Sequence, residues 1–312
     1  MPELPEVTAL AEALTERAGG LIVMRTDVAA ISALKTFDPP VSAATGAVVL
    51  GFTRLGKHLV LELVDGNGEP LFVVVHLARG GWARWNPDPP ARPAPLGRRG
   101  PAGAAALALR IVFGAGPDGG PDGQPAGAPV GALDLTEAGT QKRLAVHVVR
   151  DPGEVPGVAR LGPDPLSADF DAHAFHEVLA AAGRSQLKGV LRDQSRIAGI
   201  GNAYSDEILH AARLSPFAPA GALSAESEAQ LYEAMRDTLT RAVAAARATD
   251  PSTLKAEKKA GMAVHGRTGQ ACPVCGDVVR EVSFADSSLQ YCATCQTGGK
   301  PLADRRMSRL LK

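Results

Sequence analysis

Four cysteines near the C-terminal end constrain the fold more than any other feature of this chain. They form two pairs, Cys272 with Cys275 and Cys292 with Cys295, separated by sixteen residues. This spacing is typical of a tetrahedral zinc site with four thiolate ligands. Because four thiolates leave no open coordination position, we expect one structural Zn²⁺ ion. The alternative is a pair of disulfides, which a cytoplasmic location disfavours.

The residues between the cysteine pairs predict a β-hairpin that the metal closes at its base. Val278–Phe284 and Ser288–Tyr291 are the predicted strands, and Ala285-Asp286-Ser287 joins them. Such a hairpin has too small a core to fold alone. Its stability therefore depends on the metal.

Length and composition indicate two or three globular domains. The chain has 312 residues, 45% of them hydrophobic, and no apolar run long enough to span a bilayer. The start Met1-Pro2-Glu3 is acidic where a secretory signal is basic, so we expect a cytoplasmic protein. The 33 basic and 33 acidic residues balance overall, which argues against a uniformly basic surface. From Lys255 to Lys312, however, ten basic residues accompany five acidic ones.

The opening hexapeptide, Met1-Pro2-Glu3-Leu4-Pro5-Glu6, can place a nucleophilic amine at the start of the mature chain. An initiator Met before Pro is normally removed, which frees the ring nitrogen of Pro2. An α-amine has a pKa of roughly 7.7 to 8.0, so part of it is neutral near pH 7. Its attack on a sugar aldehyde gives an iminium ion that favours loss of groups β to the former carbonyl.

Glu3 and Glu6 supply carboxylates next to that nitrogen, one to shuttle protons and the other to orient a sugar or hold the amine. The alternative is structural. In that interpretation Pro2 and Pro5 stiffen the terminus, and the glutamates favour the start of a helix over Val7–Arg17.

The pattern of apolar residues predicts an α+β multidomain protein. Short β-patterned runs follow the first helix, separated by Gly, Pro and Asp, as in an antiparallel sandwich or barrel. These runs are Leu21–Val28, Ala47–Phe52, Leu59–Val64, Leu71–Leu77, Ala106–Phe113 and Leu144–Val149. Asn86–Pro101 and Gly114–Gly131 are predicted surface loops. The predicted parts are a β-sandwich domain at 1–150, a linker at 151–168, a helical domain at 169–262, the hairpin at 263–300 and a basic tail at 301–312.

Within the helical domain, the run Ile197-Ala198-Gly199-Ile200-Gly201 indicates a tight turn between two helices. Asn202 is the predicted N-cap of the second helix. Exposed backbone N–H groups at such a point form a phosphate site. The alternative is an ordinary helix–turn–helix packed into a core.

Together these motifs resemble the formamidopyrimidine-DNA glycosylase and endonuclease VIII family. The resemblance rests on Pro2 to Val7, on Gly56-Lys57-His58-Leu59, on Asp193-Gln194 through Asn202, and on the four cysteines. It implies an N-terminal β-sandwich with a flanking helix, a helix–two-turns–helix domain and a C-terminal zinc-finger hairpin. It further implies a monomer that acts on damaged double-stranded DNA.

The resemblance also implies an activity and its residues. Pro2 displaces the damaged base at the sugar C1′, forms a Schiff base and cuts the strand by β,δ-elimination. Glu3 acts as general acid and base, Glu6 orients the terminus, and Lys57 holds phosphate near the lesion. The DNA-binding residues that it implies are His76, Arg79, Arg143, Lys188 and Asn202.

Three positions depart from the family pattern. Arg79 stands where the family has an apolar wedge, Leu144 where it has an aromatic residue, and Ser287 where it has a phosphate-binding arginine. The cations that could compensate for Ser287 are Arg267, Arg280 and Lys300. The basic tail, with Arg305, Arg306 and Arg309, is a further candidate for contact with the DNA backbone, and the alternative is a solvated tail. The departures predict altered lesion choice with intact chemistry. The alternative is a non-catalytic or weakly catalytic protein that binds damaged DNA.

Overall fold

The computed structural model describes residues 1–96, 105–117, 119, 125–284 and 287–303. The chain divides into two compact units, Met1–Arg160 and Leu161–Lys312. The first unit contains α1 (Leu4–Ala18), β1 (Ile22–Val28), β2 (Val48–Leu55), β3 (His58–Val64), β4 (Pro70–His76), β5 (Gly81–Asn86), β6 (Ala106–Gly114), β7 (Pro129–Glu137) and β8 (Ala145–Val149).

The eight strands form one antiparallel sheet in the order β5-β7-β6-β1-β2-β3-β4-β8. Strands β1 and β2 share a single residue pair, Ile22 with Val48, whereas β6 pairs with β1 and β3 with β2 along most of their lengths. Register shifts at Val23/Arg25 and Val49/Gly51 bend both strands next to this junction. The sheet therefore has two four-stranded halves, and the predicted β-sandwich class is confirmed.

Helix α1 begins at Leu4, three residues earlier than the sequence predicts. Proline fits the first turn of a helix, where its missing N–H is not needed, so Pro5 does not delay the start. Leu4, Val7, Leu10 and Leu14 recur at helical spacing and are at most 3% exposed. Each such side chain contributes roughly 1.5–3 kcal/mol by burial. This stripe fixes the helix, and the N-terminal residues before it, to the rest of the unit.

Two strands of the first unit were not predicted. Strand β5 follows the turn that contains Arg79, and β7 begins at Pro129, inside the stretch assigned to a loop over Gly114–Gly131. Both pair over most of their lengths, β5 with β7 and β7 with β6. The ladder of backbone hydrogen bonds outweighs the weak strand propensity of Gly, Pro and Ala here.

The second unit is helical and ends in a two-stranded hairpin. Its elements are α2 (Ala172–Ala182), α3 (Leu187–Arg192), α4 (Asn202–Ala211), α5 (Ala225–Arg247), α6 (Leu254–Ala260), β9 (Val279–Ser283), β10 (Ser288–Cys292) and α7 (Ala293–Thr297). Gly183 ends α2 with φ +53, a conformation that favours glycine. The predicted break at Gly199–Gly201 lies between α3 and α4.

The predicted linker over 151–168 is held in part by the second unit. The backbone N–H of Gly162 donates to Gln194, and that of Ala198 donates to Pro163. The domain boundaries as a whole stay a prediction. Arg305, Arg306 and Arg309 of the predicted basic tail lie outside the described residues. No helix among the described residues is long and apolar enough to cross a membrane.

Candidate active site and nucleic-acid interface

The N-terminal residues form a fixed, buried start to the first unit. Pro2 is buried, and Glu3 and Glu6 are each 2% exposed. Glu3 is the N-cap of α1, with extended backbone, and its N–H donates to Oε2 of Glu6 over 2.8 Å. Met1 is 44% exposed, so it is accessible for removal. Glu6 thus fixes the residue next to Pro2, and the orienting role predicted for it stays a prediction.

Lys57 lies in the two-residue turn of the β2–β3 hairpin. Leu55 pairs with His58 across this turn, and Gly56 has φ +56, the left-handed region that suits glycine. Lys57 is 8% exposed. The hairpin therefore places the lysine at one end of the sheet, next to the pair formed by His58 and His76.

His58 and His76 face each other across β3 and β4 with ring centroids 4.9 Å apart. Burial, together with the charges of His58, Lys57 and His147, lowers the pKa of His76 to about 4. Burial also lowers the pKa of His58. Both rings are therefore neutral at neutral pH. His76 can offer DNA an N–H donor rather than a positive charge.

Arg79 and Arg143 are exposed on loops of the first unit, between β4 and β5 and between β7 and β8. Leu144 differs from both because it is 2% exposed. A Cβ atom added to Gly81 would lie 3.1 Å from Cδ1 of Leu144, so the Leu144 side chain packs against the backbone two residues after Arg79. Leu144, at the position of the family's aromatic residue, is therefore a core residue, whereas Arg79 and Arg143 are exposed.

The turn before α4 is held by a glutamine and opens toward the hairpin. Gln194 accepts from the N–H of Gly199 over 2.9 Å and donates to the carbonyl of Ile200 over 2.7 Å. Gly201 is the N-cap of α4, and Asn202 is its first residue. The prediction of Asn202 as N-cap is wrong, because its side chain is bonded elsewhere. Its Nδ2 donates to the carbonyl of Ser288 over 2.8 Å.

Lys188, a predicted DNA-binding residue, lies buried between α3 and α4. It is 5% exposed, and its Nζ donates to Asp206 over 2.5 Å and to Ser205 over 2.9 Å. Nδ1 of His265 lies 2.8 Å from the other oxygen of Asp206. These contacts join α3 to α4 and favour a structural role for Lys188, while its predicted contact with DNA stays a prediction.

The four cysteine sulfurs lie within 4.8 Å of one another. Cys275 and Cys292 are 3.3 Å apart, and Cys272 and Cys295 are 3.9 Å apart. Zn–S bonds of about 2.3 Å in a tetrahedron require sulfurs about 3.8 Å apart. The backbone N–H of Asp277 lowers the pKa of Cys275, which favours the thiolate. The donor set fits one structural Zn²⁺, as predicted.

The position of Ser287 carries no cation. The carbonyl of Ser287 accepts a hydrogen bond from the N–H of Phe284 over 2.7 Å, which joins the two strands next to the hairpin turn. Among the candidates for compensation, Arg267 is bonded to Gln270 and to the carbonyl of Met262. Arg280 and Lys300 are exposed. These two remain the available cations on the described part of this hairpin region.

Sequence reasoning missed the polar residues of α4 that bind the hairpin region. Glu207 accepts three backbone N–H groups, those of Ala263, Val264 and His265, at 2.7–2.9 Å. Nε2 of His210 lies 3.3 Å from the sulfur of Cys272. Asp206 and His210 follow the predicted Asn202 at intervals of four residues, and this helical spacing was the signal that could have identified these two.

Three family models match the chain in sequence order. Residues 1–101 match the formamidopyrimidine-DNA glycosylase N-terminal domain, residues 161–252 its H2TH domain, and residues 269–298 the zinc finger found in FPG and IleRS. An uncharacterized formamidopyrimidine-DNA glycosylase-like protein of Mycobacterium tuberculosis is 59% identical over 152 residues, 49% of this chain and 94% of that protein.

Longer matches cover nearly the whole chain. The formamidopyrimidine-DNA glycosylase of Symbiobacterium thermophilum is 32% identical over 317 residues, 98% of this chain and 93% of that protein. The crystal structure of MutM (Fpg) from Thermus thermophilus superposes with a TM-score of 0.72 at 28% identity, covering 96% of this chain and 100% of that one.

A catalytic sheet domain, an H2TH domain and a zinc finger in this order are the organisation of a DNA glycosylase of base excision repair. Because relatives 32% identical match over nearly its full length, the chain belongs to the formamidopyrimidine-DNA glycosylase family.

Proposed function

We propose that this protein is a bifunctional DNA glycosylase and abasic-site lyase whose nucleophile is the amine of Pro2. The observation that carries the proposal is the arrangement at the N-terminus. Pro2 is buried directly before the N-cap of α1, next to the buried Glu3, and Glu6 fixes the N–H of Glu3 at 2.8 Å. A terminus used only as a helix start has no need for two buried carboxylates.

The chemistry begins with removal of Met1, which converts the amide nitrogen of Pro2 into a secondary amine. This nitrogen attacks C1′ of the damaged nucleotide, and the C1′–N bond to the base breaks. The departing base takes a proton, which Glu3 supplies as general acid. Opening of the sugar ring gives an iminium ion between Pro2 and C1′.

Elimination follows from this iminium ion. Glu3, now a carboxylate, removes a proton from C2′, and the bond from C3′ to its phosphate oxygen breaks. A second elimination releases the phosphate at C5′. Hydrolysis of the remaining iminium frees Pro2. Lys57, at the sheet end next to His76, is the proposed ligand of the phosphate near the lesion.

In this proposal the second unit binds phosphates of the DNA backbone. We place a phosphate against the turn before α4, at Asn202. Its Nδ2 carries two hydrogens, and Ser288 accepts one of them. Zn²⁺, bound by the four cysteines, supplies structure to the hairpin and no chemistry to the reaction. The protein works as a monomer, and the thiolate site agrees with a cytoplasmic location.

The proposed lesion choice differs from the family pattern because two guanidiniums occupy the loops that fill the gap left by an everted base. Arg79 and Arg143 are exposed, while Leu144 is buried. Guanidiniums stack on bases and donate hydrogen bonds, so they discriminate among opposite bases differently from an apolar wedge. We expect oxidised pyrimidines, ring-opened purines or abasic sites to be accepted in preference to 8-oxoguanine.

The test is single-turnover incubation with duplexes that carry one lesion each, followed by separation of the strand products. Release of the base with products ending in phosphate at both sides of the gap supports the glycosylase with β,δ-elimination. Tight binding of lesion duplexes without base release or cleavage supports the alternative, a non-catalytic binder. The observation that favours this alternative is the absence of a cation at Ser287.

A further inference from the structure

Two loops of the first unit carry the exposed arginines. We call Leu77–Gly81 the Arg79 loop and Ala138–Leu144 the Arg143 loop. Both follow strands of the same sheet, since β4 precedes the first and β7 the second. Their contacts converge on Glu137, the last residue of β7, which is 4% exposed. The function proposed above gives this glutamate no role.

Glu137 holds the Arg143 loop from inside. Its Oε1 accepts from the backbone N–H of Arg143 over 2.6 Å and from that of Leu144 over 2.8 Å. Its backbone carbonyl accepts from Nζ of Lys142 over 2.6 Å. The end of the loop therefore folds back onto Glu137, the residue that precedes the loop. One oxygen of the Glu137 carboxylate holds the backbone N–H groups of Arg143 and Leu144.

The same residue borders the Arg79 loop. Glu137 pairs with Gly81 in the β5–β7 ladder, and the N–H of Ala138 donates to the carbonyl of Gly80 over 3.0 Å. A Cβ atom added to Gly80 would lie 2.3 Å from the carbonyl oxygen of Ala138 and 3.3 Å from Cγ of Glu137. The two loops therefore touch through backbone and leave no space for a side chain between them.

Leu144 completes the contact, because a Cβ atom at Gly81 would meet its Cδ1 at 3.1 Å. The N–H of Leu144 is one of the two that Glu137 holds. Loss of the hydrogen bond from Leu144 to the Glu137 carboxylate is therefore expected to displace Leu144. Because Leu144 packs against Gly81, that displacement is expected to reach the Arg79 loop. Glu137 is linked to both arginines without touching either guanidinium in any described contact.

We propose that Glu137 is a positioning residue that couples the Arg79 and Arg143 loops, so that both arginines enter the duplex together. The inference rests on the proposed function, in which these arginines fill the gap beside the everted nucleotide. Eversion costs a few kcal/mol of unstacking. Loops ordered before binding lose less entropy on insertion, so the coupling lowers the cost of recognising damage.

The experiment measures affinity for a duplex carrying a tetrahydrofuran abasic analogue, relative to the undamaged duplex. Full-length protein is used with Arg79→Ala, Arg143→Ala and the double variant, each with Glu137 and with Glu137→Gln. The amide keeps one oxygen acceptor but lacks the charge that strengthens hydrogen bonds. Glu62→Gln, at a strand glutamate bonded to Thr53, is the matched control.

With Glu137 present, either arginine change is expected to reduce the preference for the abasic duplex about tenfold. The double variant should reduce it little further, because the two loops are coupled through Glu137 and their effects are not additive. Glu137→Gln alone should reduce this preference about as much as either arginine change. In the Glu137→Gln background, each arginine change should then reduce it less than about twofold. Thermal unfolding of Glu137→Gln close to that of the parent protein shows that the effect is local.

Additive arginine effects in the parent protein would overturn the proposal. A Glu137→Gln variant that keeps the parent preference and both arginine effects would also overturn it. The analogue cannot form an iminium, so these outcomes are independent of the chemistry at Pro2. A failure of the proposed chemistry appears instead as the absence of a covalent adduct on reactive abasic DNA.

Discussion

The side-chain amide of Asn202 donates a 2.8 Å hydrogen bond to the carbonyl of Ser288, which joins the turn before α4 to the first residue of strand β10. Glu207 and His210 extend the same contact along the helix, to the residues before the hairpin and to Cys272. The helical part and the zinc hairpin therefore support each other within the second unit. Loss of the metal should therefore also disturb the turn before α4.

Cys292→Ser tests this dependence. Loss of one thiolate should release the hairpin, and with it the partner of Asn202, so affinity for all DNA should fall. The measurement is zinc content together with binding of damaged and undamaged duplexes. Val274→Ala, at a residue 59% exposed between two ligands, is the control. Unchanged DNA affinity in Cys292→Ser would contradict a structural role for the metal.

Lys188→Met tests whether this buried lysine is structural or binds DNA. Removing one partner of a buried ion pair costs about 3–5 kcal/mol, so the variant should unfold more easily, and Lys188→Met with Asp206→Leu should recover part of the loss. The exposed Lys259→Met should change stability little. The salt dependence of DNA binding should stay the same. A salt slope lower by about one unit would restore Lys188 as a phosphate ligand.

Glu3→Gln tests the general acid and base. The amide cannot exchange protons, so base release and strand cleavage should each slow by at least about a hundredfold. Affinity for a non-cleavable abasic analogue should persist, because the amide fills the same space. Glu16→Gln, exposed on the same helix, is the control. Equal loss of affinity and rate would assign Glu3 to binding instead of chemistry.

His76 should make stability pH-dependent in acid. Its folded pKa of about 4 lies below the ordinary value of 6.5, so the unfolded chain binds the proton more tightly. The stabilisation is present above pH 6.5 and is lost as the pH falls toward 4, by about 3 kcal/mol at most. The free energy of unfolding, measured with denaturant at several pH values across this range, should depend less steeply on pH in His76→Gln than in the parent protein. An unchanged slope would exclude His76 as its source.

The family, the zinc ligands and the main elements could be predicted from sequence because each depends on local patterns. Cysteine spacing identifies a tetrahedral site, and alternating apolar residues identify strands such as β3. Strand β7 could not be predicted, since its start at Pro129 has weak propensity and depends on pairing with β5 and β6. Local residues cannot show which partners a strand has.

The site residues show the same limit. Pro2 and Glu3 could be proposed because their chemistry is local to the terminus. The buried partner of Lys188, Asp206, could not be predicted, because the two residues lie on different helices and meet only in the folded unit. Glu137 was missed because its role depends on two loops that are distant in sequence.

Covalent trapping tests directly whether Pro2 is the nucleophile. Borohydride reduces an iminium to a stable amine, so purified protein with a verified N-terminus at Pro2 is incubated with abasic duplex and borohydride, and the cross-linked peptide is located by mass spectrometry. We predict one covalent adduct, at the nitrogen of Pro2. An adduct at a lysine, or no adduct with the N-terminus correctly processed, would contradict this claim.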